Sequence, residues 1–257
     1  EGMANPAVYT VLSADITLVA PEKEGYAFTG WTQPGEGAPH REIIIPSGST
    51  GDRSFEANWE IQKFPYQTEH YLQDASGGYR LEETEYLIGT FGEEQIAAAK
   101  EYVGYRENTQ NKNRIPSGNV AADGSLVLRL YYDLTEYHIG YELDGGSLPK
   151  GKKNPVSYTV MSDDIVLVNP VKPGYAFIGW TMPDNDAPQA TAIIRSGSTG
   201  DREFTANWET VELPYRVEHY LQAGGFSHSK KPSSLPGSLV SKRMPWPKNL
   251  LAIWKTK

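Results

Sequence analysis

The stretch GYAFIGWT at residues 174–181 decides the architecture, because it recurs with one substitution as GYAFTGWT at residues 25–32. The segment SGSTGDR occurs twice in the same way, at residues 47–53 and 196–202. Both pairs share an offset of 149 residues. Self-similarity at one fixed offset is typical of tandem domain arrays, so the sequence predicts a chain of repeated modules.

One period contains two unlike halves, of which the first runs from Tyr137 to about Glu209. It opens on the alternating pattern YHIGYEL at residues 137–143 and continues as short apolar runs between Pro, Gly and Asp residues. Such runs are typical of half-buried antiparallel strands. The first copy of this half starts near Asn5, so we expect it to lack the opening strand.

The second half runs from about Pro65 to Leu134. Alternating or strongly apolar runs predict strands at residues 66–72, 79–87 and 126–132. The segment GEEQIAAAKEY, Gly92 to Tyr102, predicts a helix, because its first glutamates complement the helix dipole and its three alanines have high helix propensity. The predicted fold class is therefore α+β, mainly β, built from small tandem modules.

The composition excludes several classes of chemistry. With no cysteine among 257 residues, the chain has no disulfide, no thiolate nucleophile and no cysteine-ligated zinc site. The formal charge is −8, but seven Lys or Arg and no acidic residue follow His219, which leaves −15 for the rest. An acidic body disfavours nucleic acid and anionic membranes, whose phosphates need clustered basic residues. We therefore expect no nucleic-acid partner and no membrane insertion.

The basic tail at residues 227–257 has lost its likeness to the first copy. The second copy of the half that runs from about Pro65 to Leu134 still matches the first copy at EHYLQ, residues 218–222. Reading the codons of residues 244–256 one base out of frame allows the pattern A-x-A-[KEQ]-[KE]-x-x-G-Y-x-E-[ND], which fits AAAKEYVGYREN at residues 97–108. We interpret the tail as a frameshift product that is disordered, because unselected sequence has no packing pattern. The nucleotide sequence tests this interpretation.

No motif for catalysis or metal binding stands out. His70 and His219 lie in a repeated EHY motif, but the other histidines lack ligand spacing, so a structural polar role outweighs a metal role. The SGSTGDR loop is interpreted as a turn satisfied by its own Asp and Arg rather than as an anion-binding nest. Four tryptophans occupy the same positions in both copies of the first half, so we expect them to pack in the core rather than to stack on sugars: Trp31, Trp59, Trp180 and Trp208. We predict no catalytic residue, no cofactor and no metal site.

Two family resemblances follow from these residues. The first half resembles the Listeria–Bacteroides repeat, or internalin-type B-repeat, through Tyr141, Gly145–Gly146, Pro170, Gly174–Tyr175, Phe177, Gly179–Trp180 and the terminal residues Phe204 to Trp208. The second half resembles the MucBP-like (mucin-binding-protein-like) repeat through Tyr66, His70–Tyr71, Gly78–Tyr79, Gly104–Tyr105 and Leu130 to Tyr132. Both resemblances imply β-grasp-like modules, and neither carries over a fixed set of catalytic or binding residues.

The resemblances predict five segments along the chain. They are a Listeria–Bacteroides-type repeat without its first strand at 1–61, a MucBP-like repeat at 65–134, a second Listeria–Bacteroides-type repeat at 137–210, the start of a second MucBP-like repeat at 214–226, and the frameshifted tail at 227–257.

The function implied by the resemblances is a non-catalytic stalk or adhesion segment of a bacterial protein that is secreted, at the cell surface or in the cell wall. One alternative is an adhesin module that binds host glycans, mucin or cell-wall components through exposed aromatic residues, with Tyr79, Tyr86 and Tyr105 as candidates. Another alternative is an accessory region of a large secreted enzyme. The sequence leaves the oligomeric state open.

Overall fold

The computed structural model describes residues 4–217, 220–223, 226–229 and 233–237, and its regular secondary structure there consists of strands. The chain divides into two compact units, Glu1–Thr135 and Glu136–Lys257. The predicted predominance of β-structure is confirmed. The α+β class is wrong for the described residues, which form several small sheets and no helix.

The first unit begins with a repeat of four strands: β1 (Ile16–Thr17), β2 (Tyr26–Thr32), β3 (Ile44–Ile45) and β4 (Glu56–Ile61). β1 pairs antiparallel with β3, and β2 pairs antiparallel with β4. The β2–β4 ladder shifts register between Phe28 and Gly30, where a Cβ atom on Gly30 would lie 2.8 Å from the His40 backbone. Glycine is required at this bulge, since its φ is also +144°.

Six strands complete the first unit: β5 (Lys63–Gln73), β6 (Tyr79–Thr90), β7 (Glu94–Ile96), β8 (Tyr105–Glu107), β9 (Ser117–Asn119) and β10 (Val127–Leu134). Four of them form a sheet in the order β6-β5-β10-β8, in which β5 and β10 are parallel and the outer pairs antiparallel. Buried residues alternate with more exposed ones along β5, because one face of this sheet is covered. The covered face buries Tyr66, Leu72, Leu128, Leu130 and Tyr132.

The helix predicted from Gly92 to Tyr102 is wrong. Part of that segment is β7, which pairs antiparallel with β9, and residues 97–102 have no regular structure. The apolar side chains that would have packed on the core from such a helix point to solvent, since Ile96 is 75% and Val103 81% exposed.

Tertiary hydrogen bonds replace those of the predicted helix. The Ala97 amide donates to the Pro116 carbonyl at 2.8 Å, and the Lys100 amide donates to the Tyr132 hydroxyl at 2.9 Å. A helix of this length is marginal on its own, whatever the propensity of its alanines. The pairing with β9 and the packing of Ala97 on the core therefore decide the conformation.

The joint between the first repeat and the sheet that follows it is packed. Phe91, in the turn after β6, lies edge-on to Tyr26 of β2 and Phe64 of β5, with ring centroids 6.0 Å apart in both pairs. Two backbone hydrogen bonds of 2.9 Å also cross the joint, from Gln62 N to Gly25 O and from Phe91 N to Gln62 O. The first repeat and the next module thus share one set of packing contacts.

The second unit contains seven strands that correspond to a repeat: β11 (Tyr137–Glu142), β12 (Ser157–Tyr158), β13 (Ile165–Val166), β14 (Tyr175–Met182), β15 (Asn185–Gln189), β16 (Ile193–Ile194) and β17 (Arg202–Thr210). Five of them form a sheet in the order β12-β11-β17-β14-β15, and β13 pairs with β16. The opening strand predicted at residues 137–143 is present as β11. It lies parallel to β17 and antiparallel to β12.

The core of this repeat is one cluster of side chains around the indole of Trp180, which is 1% exposed. Its members come from the strands and from the loops between them: Ile139, Tyr158, Leu167, Trp180, Ala192, Ile194, Phe204 and Ala206. Since β11 supplies Ile139 to its centre, the opening strand is part of the core and not an addition to it.

Two further strand pairs follow in the second unit. β18 (Leu213–Val217) pairs antiparallel with β21 (Ser233–Gly237), and β19 (Tyr220–Ala223) pairs antiparallel with β20 (Phe226–Ser229). The predicted disorder and frameshift of residues 227–257 concern mostly residues outside those described.

Candidate ligand-binding face

The sheet β6-β5-β10-β8 turns one face to the core and leaves an outer face. Thr68 and His70 of β5 are buried on the inner face, at 1% and 0% exposure. Because successive side chains of a strand point to opposite faces, the residues between them lie on the outer face. Tyr86 of β6 pairs opposite Gln67, and Tyr79 pairs opposite Gln73, so both tyrosines belong to the outer face.

Tyr79 is fixed by internal contacts. Its hydroxyl donates to Asp133 Oδ1 and accepts a 3.3 Å hydrogen bond from Asn108 Nδ2, while its ring stands perpendicular to Tyr131 at 5.1 Å. Burial, and then the hydrogen bond to Asp133, raise the pKa of the Tyr79 phenol. The phenol is therefore neutral and already committed to partners in its own module.

Tyr86 is the candidate tyrosine whose side chain is exposed to solvent. It is 78% exposed, and Ile88, two residues further on the same face, is 73% exposed. β6 is an edge strand of its sheet, so this apolar pair is approachable from the side as well as from above. An exposed aromatic ring beside an aliphatic side chain can stack on a sugar ring or pack against a protein.

Tyr105 lies on the opposite face. It pairs with Leu134 across β8 and β10 and packs on the cluster of Leu72, Leu130 and Tyr132. Tyr79 and Tyr86 are themselves about 23 Å apart, given the rise of roughly 3.3 Å per residue along a strand. The structure therefore does not bring the three predicted tyrosines into one site.

An aromatic pair that the sequence analysis did not single out lies at the centre of the outer face. Tyr71 and Tyr131 stack with centroids 4.9 Å apart and an interplanar angle of 12°. Beside them, Glu69 Oε2 accepts hydrogen bonds from the Tyr71 hydroxyl at 2.8 Å and from Arg129 Nε at 2.9 Å. Alternation within each strand marks these residues as neighbours on one face, but only the parallel pairing of β5 with β10 brings them together.

His70 lies in a series of hydrogen bonds within its own module. The Tyr132 hydroxyl, which accepts from the Lys100 amide, lies 3.0 Å from His70 Nδ1, and His70 Nε2 lies 3.1 Å from Glu85 Oε2. Tyr132 can therefore donate to Nδ1, and Nε2–H donates to Glu85. Both ring nitrogens are used within the protein, as a structural histidine requires. The side chain of His219 lies outside the described residues.

An ion-pair cluster flanks this histidine. Lys100 Nζ lies 2.7 Å from Glu83 Oε1 and 2.9 Å from Glu85 Oε1. These contacts raise the pKa of Lys100 and lower the pKa values of both glutamates. Burial, with the nearby charge of Glu83, raises the pKa of Tyr102 to about 12. The cluster holds fixed charges and offers no group poised to exchange protons near neutral pH.

The SGSTGDR loops are tied at their first residue by an aspartate from another loop. Ser196 N donates to Asp164 Oδ1 at 2.8 Å, and in the first repeat Ser47 N donates to Asp15 Oδ1 at 2.7 Å. Within the second copy, Arg202 donates to the Thr199 carbonyl at 3.1 Å. These bonds are those of a fixed turn.

The four tryptophans of the described repeats pack against other side chains of their own repeats. Trp31 and Trp180 are 8% and 1% exposed, and Trp59 and Trp208 are half-buried. Trp208 stands perpendicular to Phe177 at 5.5 Å and donates to the Leu143 carbonyl at 3.1 Å. The contacts of Trp180 and Trp208 are those of core side chains rather than of a sugar-stacking platform.

The described residues contain no group of three or more His, Asp or Glu side chains arranged to hold a metal ion. In the same part of the chain, no helix is long and apolar enough to cross a membrane.

The chain is similar to two curated proteins of Evansella cellulosilytica. One, named "Putative Gly-rich membrane protein", is 25% identical over 194 residues, which cover 73% of this chain and 21% of the relative. The other, named "Putative membrane protein", is 24% identical over 169 residues, which cover 62% of this chain and 23% of the relative. The chain thus spans less than a quarter of the length of these relatives.

Two family models match separate parts of the chain. Residues 137–207 match the Listeria-Bacteroides repeat domain, and residues 4–63 match the divergent InlB B-repeat domain. The expected resemblance to Listeria–Bacteroides repeats is confirmed for these residues, and the MucBP-like assignment of residues 65–134 stays a prediction. Over these two segments the chain therefore resembles repeat domains of bacterial surface proteins, a divergent InlB B-repeat domain and a Listeria-Bacteroides repeat domain.

Proposed function

We propose that this chain is a stalk segment of a bacterial cell-surface or secreted protein, in which tandem repeats act as a spacer. The packed joint at Phe91 is the observation that carries the proposal. A spacer holds its length only if successive modules are fixed to each other, and Phe91 fills the contact between Tyr26 and Phe64. The names of the two Evansella relatives, both called membrane proteins, agree with a location at the cell envelope.

The absence of cysteine allows a direct test of the joint. Spin labels on single cysteines introduced at the exposed Glu42 and Gln110 report the distance between the first repeat and the next module. We expect one narrow distance distribution in the full chain and a broader one after Phe91→Ala. A broad distribution in the unchanged chain would contradict the spacer. Antibodies raised against the chain should label intact cells of the source bacterium.

We also infer that residues 65–134 form a MucBP-like module with a β-grasp-like sheet. The sheet order supports this inference, because the first and last strands, β5 and β10, are adjacent and parallel at its centre. The module also has its own core, formed around Tyr66 and Leu128 and around Leu72 and Leu130.

A second candidate function, adhesion to glycans or mucin, is favoured by one observation, the exposure of Tyr86 beside Ile88. An array of glycans and immobilised mucin, probed with the full chain, tests it. We expect Tyr86→Ser to abolish binding and Tyr175→Ser, at a tyrosine of the other unit that is 41% exposed, to leave it unchanged. If the unchanged chain binds nothing above background, the spacer function alone remains.

A further inference from the structure

The longest of the described strands, β6, lies at the edge of its sheet. It contains 12 residues, and its one partner among the described strands is β5. The side of β6 that faces away from β5 is therefore a row of main-chain groups without a neighbouring strand. Lysine and proline, which commonly protect such an edge, do not occur in its sequence YRLEETEYLIGT.

The first half of β6 is protected in other ways. The β5–β6 ladder shifts register between His70 and Tyr71, which leaves Glu82 as the extra residue of a bulge. Arg80 and Glu82 form an ion pair at the same place. Bulges and charged side chains both discourage the addition of another strand, so this half is a poor site for pairing.

The second half of β6, residues 84–90, has no such protection. The side chains of Tyr86, Leu87 and Ile88 are 78%, 37% and 73% exposed. Glu85, the one charged residue of this half, forms an ion pair within its own module. A regular, apolar and exposed edge of this kind is a template for another strand.

The main-chain groups of Tyr86 and Ile88 point outward from the sheet. Gln67 N donates to the Leu126 carbonyl at 3.0 Å, so the Gln67 amide points away from β6. The pair of Gln67 with Tyr86 is therefore non-hydrogen-bonded, and so is the pair of Pro65 with Ile88 two residues further on. In the part of the chain that the structure describes, no strand bonds to this side of β6.

The sequence of this half is complementary to itself. In an antiparallel pair, two opposite residues both direct their main-chain groups either towards the other strand or away from it. A symmetric pair of β6 strands is therefore centred on one residue. With the two-fold axis at Leu87, Tyr86 lies opposite Ile88 of the second copy, and Thr84 lies opposite Thr90. Aromatic residues opposite β-branched ones and threonine pairs both stabilise antiparallel strands.

The charges favour the same register. A two-fold axis at Thr84 would place Glu83 opposite Glu85, and an axis at Glu85 would place that residue opposite itself. Like charges directly opposite each other destabilise a strand pair. With the axis at Leu87, Glu85 lies opposite Gly89, which has no side chain. This register therefore joins the apolar residues and brings no like charges together.

We propose that two copies of this chain pair through residues 84–90 of β6, antiparallel and with the two-fold axis at Leu87. The two sheets then form one continuous sheet, in which Tyr86 and Ile88 exchange main-chain hydrogen bonds with the second copy. The pairing uses the open edge of both copies, so it closes at the dimer. Because the overlap is short, the dimer is weaker than one with a standard interface. This interaction goes beyond the spacer function and does not depend on it.

Sedimentation equilibrium of the full chain tests the proposal. Between roughly 10 μM and 1 mM, we expect the monomer to convert to a dimer and to nothing larger. Ile88→Lys should weaken dimerisation at least about tenfold, because it places a charge on the paired edge. Val103→Lys, at an 81% exposed valine of the same module, is the matched control and should leave the dimer unchanged.

Disulfide cross-linking tests the register, since the chain has no cysteine of its own. Leu87 lies opposite itself in a non-hydrogen-bonded pair, where the Cα atoms are about 4.5 Å apart and a disulfide can form. We therefore expect Leu87→Cys to give a covalent dimer on oxidation. Leu81→Cys, at an exposed residue beyond the bulge, should give no dimer above the level of random collision.

Four results would overturn the proposal. They are a chain that stays monomeric up to about 1 mM, a dimer that Ile88→Lys leaves unchanged, assembly beyond the dimer, and equal cross-linking of Leu87→Cys and Leu81→Cys. Circular dichroism of each variant checks that it is folded. The spin-label distance between the first repeat and the next module is measured within one chain, so it tests the spacer separately.

Discussion

The ring of Phe91 occupies the space that a side chain at Gly25 would need. A Cβ atom added at Gly25 would overlap the ring, whereas no described atom lies within 4 Å of a Cβ atom added at the equivalent Gly174. Both glycines have left-handed backbone angles, with φ of +78° and +81°. The same GYAF segment therefore forms a packed joint in the first unit, whereas none of the described residues fills the equivalent place in the second.

This pair makes Gly25→Ala and Gly174→Ala a matched comparison. Each substitution should lower the free energy of unfolding by about 1 kcal/mol, because alanine disfavours positive φ. Gly25→Ala should lower it by roughly 1–3 kcal/mol more, because Phe91 must also move. Hydrogen exchange of the Gln62 and Phe91 amides, which bond across the joint, measures the local loss. Equal effects of the two substitutions would show that Phe91 does not pack as described.

The two repeats should respond differently to loss of an equivalent core phenylalanine. Phe204 is 2% exposed within the closed core, so Phe204→Ala should cost about 3–5 kcal/mol. Phe55, at the equivalent position of the first repeat, is only half-buried in this chain, so Phe55→Ala should cost clearly less. Denaturant unfolding followed by NMR signals assigned to each repeat measures both. A larger loss for Phe55→Ala would mean that this side chain is more deeply buried in solution than in the structure.

The buried indole of Trp31 offers a stabilising substitution. In the second repeat, Trp180 Nε1 donates to Asn169 Oδ1 at 2.9 Å, whereas Trp31 Nε1 is buried without a hydrogen-bond partner among the described residues. Ala20 stands at the position of Asn169. We expect Ala20→Asn to stabilise the first repeat by about 1 kcal/mol.

The reverse change is the control for that substitution. Asn169→Ala should destabilise the second repeat by about 1–3 kcal/mol, because it leaves a buried N–H unpaired. Thermal unfolding monitored by tryptophan fluorescence measures both variants. If Ala20→Asn lowers the melting temperature, the asparagine does not reach the indole.

The Lys100 ion pairs make the stability of the module at residues 65–134 depend on pH. Contacts with Lys100 hold the pKa values of Glu83 and Glu85 below their ordinary value of 4.5. The ion pairs therefore contribute to the free energy of unfolding above pH 4.5. This contribution is lost as the pH falls through the lowered pKa values that the two glutamates have in the folded state. We expect Lys100→Ala to lower stability at pH 7 and to flatten its fall below pH 4.5.

Lys112, an exposed lysine of the same module, provides the matched control. Lys112→Ala should keep the wild-type dependence on pH. Urea unfolding of the full chain between pH 3 and 7, followed by signals of the β5–β10 sheet, measures the three proteins. An unchanged slope in Lys100→Ala would show that the ion pairs are not formed in solution.

The candidate site was only partly predictable from the sequence. Tyr79, Tyr86 and Tyr105 share aromatic character, but their accessibility depends on the face that each strand turns to the core. The alternation in β5 and β10 orders residues within each strand, and it cannot reveal that Tyr71 stacks on Tyr131, since that contact depends on long-range parallel pairing.

The sequence by itself determined that the chain is a tandem array, because long stretches of near-identity at one offset require like folds. It also determined the opening strand at β11, whose alternation is local. The tertiary structure decided the conformation of residues 92–102, since differences in helix propensity are tenths of a kcal/mol per residue and bonds to β9 and Tyr132 outweigh them. It also decided which side chains the core of the second repeat encloses, because Ile139 of β11 reaches Phe204 and Trp180 only through pairing between residues far apart in sequence.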